Sequence, residues 1–126
     1  FTSGTPWLKV NPNHTEINAE AEVREPQGIY AHYRALIQLR KTQRVVQDGD
    51  YTLLLAEHPQ IFAYRRENDA ATLIVLANFY GEVAQASLAD TAGYRLLLGN
   101  YADSPAALAE DVLLRPYEAL IYLREK

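Results

Sequence analysis

From residue 49 onward, apolar side chains come in short runs, several of them alternating with polar positions: 51–55, 60–66, 72–79, 83–88, 94–98, 112–114 and 117–123. Leu, Ile, Val and Tyr dominate these runs, and turn formers separate them: His58-Pro59, Asn68-Asp69, Gly81-Glu82, the stretch 90–93 and Arg115-Pro116. Period-two patterning bounded by such turns predicts strands. Leu73-Ile74-Val75-Leu76-Ala77 is apolar on both faces, as in a strand covered from both sides. Many short strands at this spacing predict a mainly β fold, an antiparallel Greek-key β-sandwich. The alanine-rich stretch 103–111 reads as a loop or one helical turn.

The first 47 residues follow a different rule. Pro26 is suited to open a helix, because its missing N–H costs nothing in a first turn. Ile29, Tyr30, Tyr33, Leu36, Ile37 and, more weakly, Arg40 then recur on a 3.6-residue period, with Arg34, Gln38 and Lys41 facing the other way. This predicts one amphipathic helix, with Arg40, Lys41 and Arg44 gathered where the helix dipole favours cations. Residues 1–25 carry Gly4, Pro6, Asn11, Pro12 and Asn13 and read as irregular. So long a stretch suits a strap lying across another body, anchored by Trp7, Leu8, Val10 and Ile17. The expected division is therefore 1–47 for strap and helix and 48–126 for the sandwich.

Composition narrows the function. At 126 residues, 48% hydrophobic and 22% charged, the chain can bury a core. Nine tyrosines, three phenylalanines and one tryptophan supply large packing groups. Net charge is −4 with no basic block, which argues against nucleic acid as a partner. No apolar run reaches the roughly 20 residues needed to cross a bilayer. Cysteine is absent, so disulfide and thiolate chemistry are excluded, which suits a cytoplasmic location.

Candidate chemistry is sparse. His14, His32 and His58 are far apart, and none forms an HxxxH pair; without cysteine, no metal or cofactor site is expected. Ser3, Ser87 and Ser104 lack a GxSxG elbow. Glycosidases need two carboxylates, about 5 Å or about 6.5–9.5 Å apart. Glu20, Glu22, Glu25, Glu110 and Asp111 are available, but a solvated acidic surface accounts for them at a pI near 5.3. Asn13-His14-Thr15 fits the glycosylation triplet, which arises often by chance. Tyr80 and Tyr101 are candidates for stacking on sugar rings, against the commoner role of core or edge packing.

The run Gly4-Thr5-Pro6-Trp7-Leu8-Lys9-Val10-Asn11-Pro12-Asn13, continued by Glu16-Ile17-Asn18, resembles the strap after the last barrel strands in the oligo-1,6-glucosidase branch of the α-amylase superfamily, glycoside hydrolase family 13. Residues 29–41 resemble that barrel's last helix with its Leu-Ile-x-Leu-Arg-Lys ending. Gly49-Asp50-Tyr51, Ile61-Phe62-Ala63-Tyr64-Arg65-Arg66, Val75-Leu76-Ala77-Asn78-Phe79 and Leu114-Arg115-Pro116-Tyr117-Glu118-Ala119 resemble its C-terminal β-domain. One departure is His14, where the motif commonly continues with an aromatic residue.

The resemblance implies an α-glucosidase that cleaves terminal α-glucosidic bonds by an aspartate nucleophile and a glutamate acid/base on barrel strands outside this chain. A (β/α)₈ barrel takes about 250 residues. No catalytic residue, cofactor ligand or metal ligand is therefore assigned here, and the chain alone is expected to be inactive. Its expected partner is its own catalytic barrel, with α-glucosides as substrates of the full-length enzyme and a possible dimer through the exposed helix face. The alternative is a carbohydrate-binding sandwich using exposed tyrosines.

Overall fold

The computed structural model describes residues 3–126, with three helices and seven strands among them: α1 (Ala19–Arg24), α2 (Ile29–Thr42), α3 (Arg44–Asp48), β1 (Asp50–Leu54), β2 (Ile61–Glu67), β3 (Ala71–Asn78), β4 (Ala84–Ser87), β5 (Arg95–Gly99), β6 (Asp111–Leu114) and β7 (Ala119–Glu125). They fall into two compact units, through Arg34 and from Ala35 to Lys126, so the division lies inside α2.

In the first unit the stretch expected to be irregular contains a helix. Asn18 caps α1 by accepting a hydrogen bond from the Ala21 N–H at 2.9 Å, and Arg24 pairs with Glu20 one turn back at 2.8 Å. Pro26 does not open α2. It is the second residue of a turn closed by the Gly28 N–H on the Glu25 carbonyl (3.2 Å), a position its fixed φ suits equally well. The Glu22 carboxylate then accepts from the Tyr30 N–H at 3.0 Å, satisfying one of α2's free donors. A side chain at Gly28 would strike that carboxylate. Trp7, Leu8 and Ile17 are exposed, at 91%, 62% and 72%, and Val10 is half-buried.

The second unit is an antiparallel β-sandwich. One sheet has the order β1-β2-β3-β7-β5; the other pairs β4 with β6. β3 lies between β2 and β7, with Tyr64 opposite Val75 and Val75 opposite Ile121. Alternation sends Ile61, Ala63, Ile74, Leu76, Leu120 and Tyr122 inward, where they meet Ala84, Ala86, Val112 and Leu114 of the smaller sheet. Fully burying each of the larger aliphatic side chains stabilises by about 1.5–3 kcal/mol. The observed strands match the expected ones to within two residues at each end. The stretch 103–110 is a loop with a single bridge from Ala107 to Arg95, and Asp111 begins β6.

Two local expectations are corrected. The helix does not run through Arg44: Gln43 interrupts it, and Arg44 begins α3, pairing with Asp48 at 2.8 Å. Tyr117 does not open the last strand. It sits at φ 55° in a turn before Ala119, its N–H donating to the Tyr80 carbonyl at 3.0 Å.

Candidate functional surface

The outward-facing residues of the five-stranded sheet form the most apolar surface of the sandwich. Because side chains alternate, Tyr51 and Leu53 of β1, Phe62, Tyr64 and Arg66 of β2, Leu73 and Val75 of β3, and Ile121 and Leu123 of β7 share this face. One end is covered. Val45 of α3 is 2% exposed and packs with Ala71, Leu73 and Leu123, joined by Leu39, Val46, Val75, Leu97 and Ile121. Arg66 fastens this cover: its Nε donates to the Val45 carbonyl (3.2 Å) and its Nη2 to the Gly49 carbonyl (2.7 Å), where α3 ends. Asp48 accepts from the Asn68 side chain and from Arg44, both at 2.8 Å. These bonds, Asn68's foremost, hold its carboxyl below the usual range.

The other end of this face is bare. Tyr51, Leu53, Phe62 and Phe79 are exposed by 53%, 46%, 44% and 66%. The aromatic rings here, with Tyr64 between them, form a row: Tyr51 to Tyr64 at 5.4 Å, Tyr64 to Phe62 at 5.7 Å and Phe62 to Phe79 at 6.4 Å. Burial among these neighbours pushes the Tyr64 hydroxyl up, with Arg66 opposing it. A groove of about 290 Å³ opens at the end of the row, lined by Leu53, Leu54, Leu55, Pro59, Phe62 and Phe79 among others. His58 shapes it. Nδ1 accepts from the Gln60 and Ile61 N–H groups (3.2 and 2.9 Å), so Nε2 carries the hydrogen and donates to the Gln85 carbonyl at 3.0 Å. That bond ties the β1–β2 turn to the second sheet. The outer face of β4 and β6 is different, presenting Gln85, Ser87, Leu113 and Asp111, with the Ser87 hydroxyl donating to Asp111 at 2.7 Å.

The turn before β7 is built around a buried carboxylate. Glu118 is 2% exposed and accepts from the Arg115 N–H (2.8 Å), Nη2 (2.6 Å) and Nε (3.2 Å), while Arg115 Nη1 reaches Asp103 at 2.6 Å. Burial works against the Glu118 charge, but the hydrogen bonds from Arg115 outweigh it and keep the carboxyl below its ordinary range. Tyr101 lies under the Arg115 guanidinium (3.9 Å to the ring centre) and donates to the Pro116 carbonyl at 2.8 Å. It packs rather than offering a face for sugar, whereas Tyr80 is 51% exposed.

Four of the five carboxylates weighed for catalysis have local tasks, and Glu110 accepts from the Leu88 N–H through its backbone carbonyl. Glu20 pairs with Arg24, Glu22 caps α2, Glu25 accepts from the Gln27 N–H and Asp111 holds Ser87. Among the described residues no three His, Cys, Asp or Glu side chains gather as a metal site would require. No helix among them is long and apolar enough to cross a membrane. Sequence reasoning missed Leu39 and Val45, which cover the sheet. It identified the α2 stripe, where Ile29, Tyr30, Tyr33 and Ile37 are exposed by 72%, 47%, 63% and 54%.

By architecture, then, the chain has an all-antiparallel β-sandwich preceded in sequence by three helices, with large apolar side chains exposed on both α2 and the larger sheet. Its first 49 residues match the family model of the α-amylase catalytic domain. It is 43% identical to the oligo-1,6-glucosidase of Halalkalibacterium halodurans over 98% of this chain and 22% of that protein. It is 39% identical to the trehalose-6-phosphate hydrolase of Bacillus subtilis, over 97% and 22%. Among solved structures, the trehalose-6-phosphate hydrolase of Bacillus licheniformis superposes with a TM-score of 0.89 at 35% identity, covering 99% of this chain and 23% of the other. The chain belongs to the α-amylase family, glycoside hydrolase family 13, and is homologous to the C-terminal part of its oligo-1,6-glucosidases and trehalose-6-phosphate hydrolases. It spans about a fifth of these relatives' length, 22% of each.

Proposed function

We propose that this chain is the non-catalytic C-terminal region of an α-glucosidase and that it braces a catalytic barrel. In this reading residues 1–47 complete the barrel as its strap and last helix, and residues 48–126 form the supporting sandwich. The whole protein hydrolyses terminal α-glucosidic bonds, in the cytoplasm. The observation that carries the reading is the exposed stripe Ile29, Tyr30, Tyr33 and Ile37 on α2. Four large apolar side chains on one helix face suit contact with another body rather than water. Two further findings support it: the catalytic-domain match over residues 1–49, and the relatives' much greater length. Without that body, the same stripe drives a weak dimer.

The test uses the oligo-1,6-glucosidase of Heyndrickxia coagulans, 44% identical over the whole of this chain. Deleting its matched segment is expected to lower its inactivation temperature or leave it insoluble. Supplying this chain in its place is expected to restore both stability and α-glucosidase activity. A deletion variant as stable and active as the parent would falsify the bracing role.

A further inference from the structure

We propose that the Asp48-Gly49 pair is a self-modification site: it isomerises to isoaspartate when α3 lifts from the sheet and is protected while α3 is docked. The inference is independent of the bracing reading, and every residue it uses lies in the second compact unit.

The sequence supplies the reactive pair. Asp48 is the only aspartate followed by a glycine, and no asparagine precedes one. Glycine has no Cβ to hinder its amide nitrogen or restrict its backbone, so this pair cyclises more easily than any other in the chain. In the reaction the Gly49 nitrogen attacks the protonated Asp48 carboxyl. The N–Cγ bond forms, the Cγ–OH bond breaks, and the hydroxyl leaves as water with the amide proton. A second water then opens the succinimide ring. Opening at the main-chain carbonyl leaves the chain running through the side chain, one carbon longer and unchanged in composition.

Packing demands the glycine. Gly49 is buried at a φ of −68°, open to any residue, so it serves close approach and not a left-handed turn. A Cβ there would strike the Val45 carbonyl and meet the Glu67 nitrogen at 3.1 Å. The fold therefore needs its most reactive dipeptide where α3 joins β1, and the same joint restrains it. The nucleophile is engaged, since the Gly49 N–H donates to the Val45 carbonyl at 3.2 Å. Arg66 Nη2 holds the Gly49 carbonyl at 2.7 Å, which keeps the backbone from turning. The electrophile is held too, the Asp48 carboxylate accepting from Asn68 and Arg44, both at 2.8 Å. Those bonds favour the ionised form, which does not lose water. Asp48 is itself exposed, so once α3 lifts nothing keeps water from the ring. The added carbon displaces the partners of Arg66 and Asn68, and each event leaves a lasting lesion at the covered end.

The test ages the folded chain, the chain unfolded in guanidinium chloride, and the folded variants Arg66→Met and Asn68→Asp side by side in warm neutral buffer. Asn68→Asp keeps the acceptor for the Ala70 and Ala71 N–H groups, each at 3.0 Å, and removes the donor to Asp48. Peptide mapping with a fragmentation method that tells isoaspartate from aspartate gives the rate at residue 48. The folded chain is expected to react roughly tenfold or more slowly than the unfolded one, because a docked joint reacts only through opening. Both variants are expected to react several-fold faster than the folded parent, while Asp103-Ser104, outside the joint, keeps its rate. Equal rates at residue 48 in folded and unfolded chain would overturn the proposal, as would an unreactive pair in the unfolded one. Should Arg66→Met unfold the chain outright, Asn68→Asp decides alone. A folded Asn68→Asp chain that ages no faster than the parent would overturn the protection assigned to this joint.

Discussion

The two ends of one sheet face obey the same alternation yet meet different fates. At one end Leu73 and Leu123 are 2% and 1% exposed beneath α3. At the other Tyr51, Leu53 and Phe62 are 53%, 46% and 44% exposed, although they are as apolar. Apart from Arg66 of β2, the alternation of the strands does not distinguish the ends. What differs is the helix carried in from the preceding segment and held down by a single arginine. Apolar patterning therefore records where a cover is wanted, and the cover itself comes from connectivity.

The sharpest way to break this contrast is to cut into the covered end. Leu123→Ala removes a side chain 1% exposed and wedged against Val45 and Leu73, and is expected to cost about 2–5 kcal/mol in urea unfolding of the chain. A cost below about 1 kcal/mol would mean that this end is no better packed than the bare one.

Arg66→Met comes next. It keeps much of the aliphatic stem but removes the Arg66 donors to the carbonyls of Val45, which still accepts from the Gly49 N–H, and of Gly49, with an expected loss of about 1–3 kcal/mol. Hydrogen exchange is expected to rise in α3 while β2 and β3 stay protected. If α3 keeps its protection, packing by Val45 alone holds the cover.

Much of this contrast was open to reading in the sequence, and some of it was not. The strands were legible because period-two patterning and turn dipeptides need only four to eight residues. Thus the run 72–79 became β3 at Ala71–Asn78. Helices α1 and α3, of six and five residues, are too short for a 3.6-residue period to show. The capping residue Asn18 and the Glu20–Arg24 spacing were the available signals for α1. Pro26 misled because the first turn of a helix and the second position of a β-turn ask for the same φ. For the candidate surface, alternation puts Tyr51 with Leu53 and Phe62 with Tyr64. The cross-strand pairing Leu53↔Tyr64, which joins these into one row, depends on register that no local pattern encodes.

Acid should loosen the covered end and leave the bare one unchanged. The Asp48 carboxyl is held below its usual value by Asn68 and Arg44, so its folded-state pKa lies below its unfolded one. Its contribution is therefore present above the ordinary carboxylate value near 3.8 and is lost as pH falls through the lower folded value. Because Asp48 is exposed, the effect is small and local. Proton exchange or chemical shifts at Gly49 and Asn68 should move in that window while those of Tyr51 and Phe62, in a row without carboxylates, stay still. Asp48→Asn is expected to abolish the difference.

Phe62→Ala gives the smallest effect and the most telling one. Its ring touches Tyr64 and Phe79 at centroid distances of 5.7 and 6.4 Å but remains 44% exposed. Part of its burial energy is never realised in the isolated chain, so truncation is expected to cost it about 1 kcal/mol or less, where a fully buried phenylalanine would cost about 3–5 kcal/mol. The same substitution in the Heyndrickxia coagulans hybrid is expected to cost more, because there the ring loses a partner as well as its neighbours. The measurement is the difference between the two unfolding free energies. Equal costs in chain and hybrid would mean that the bare end stays bare, and that the apolar row serves only to pack against itself.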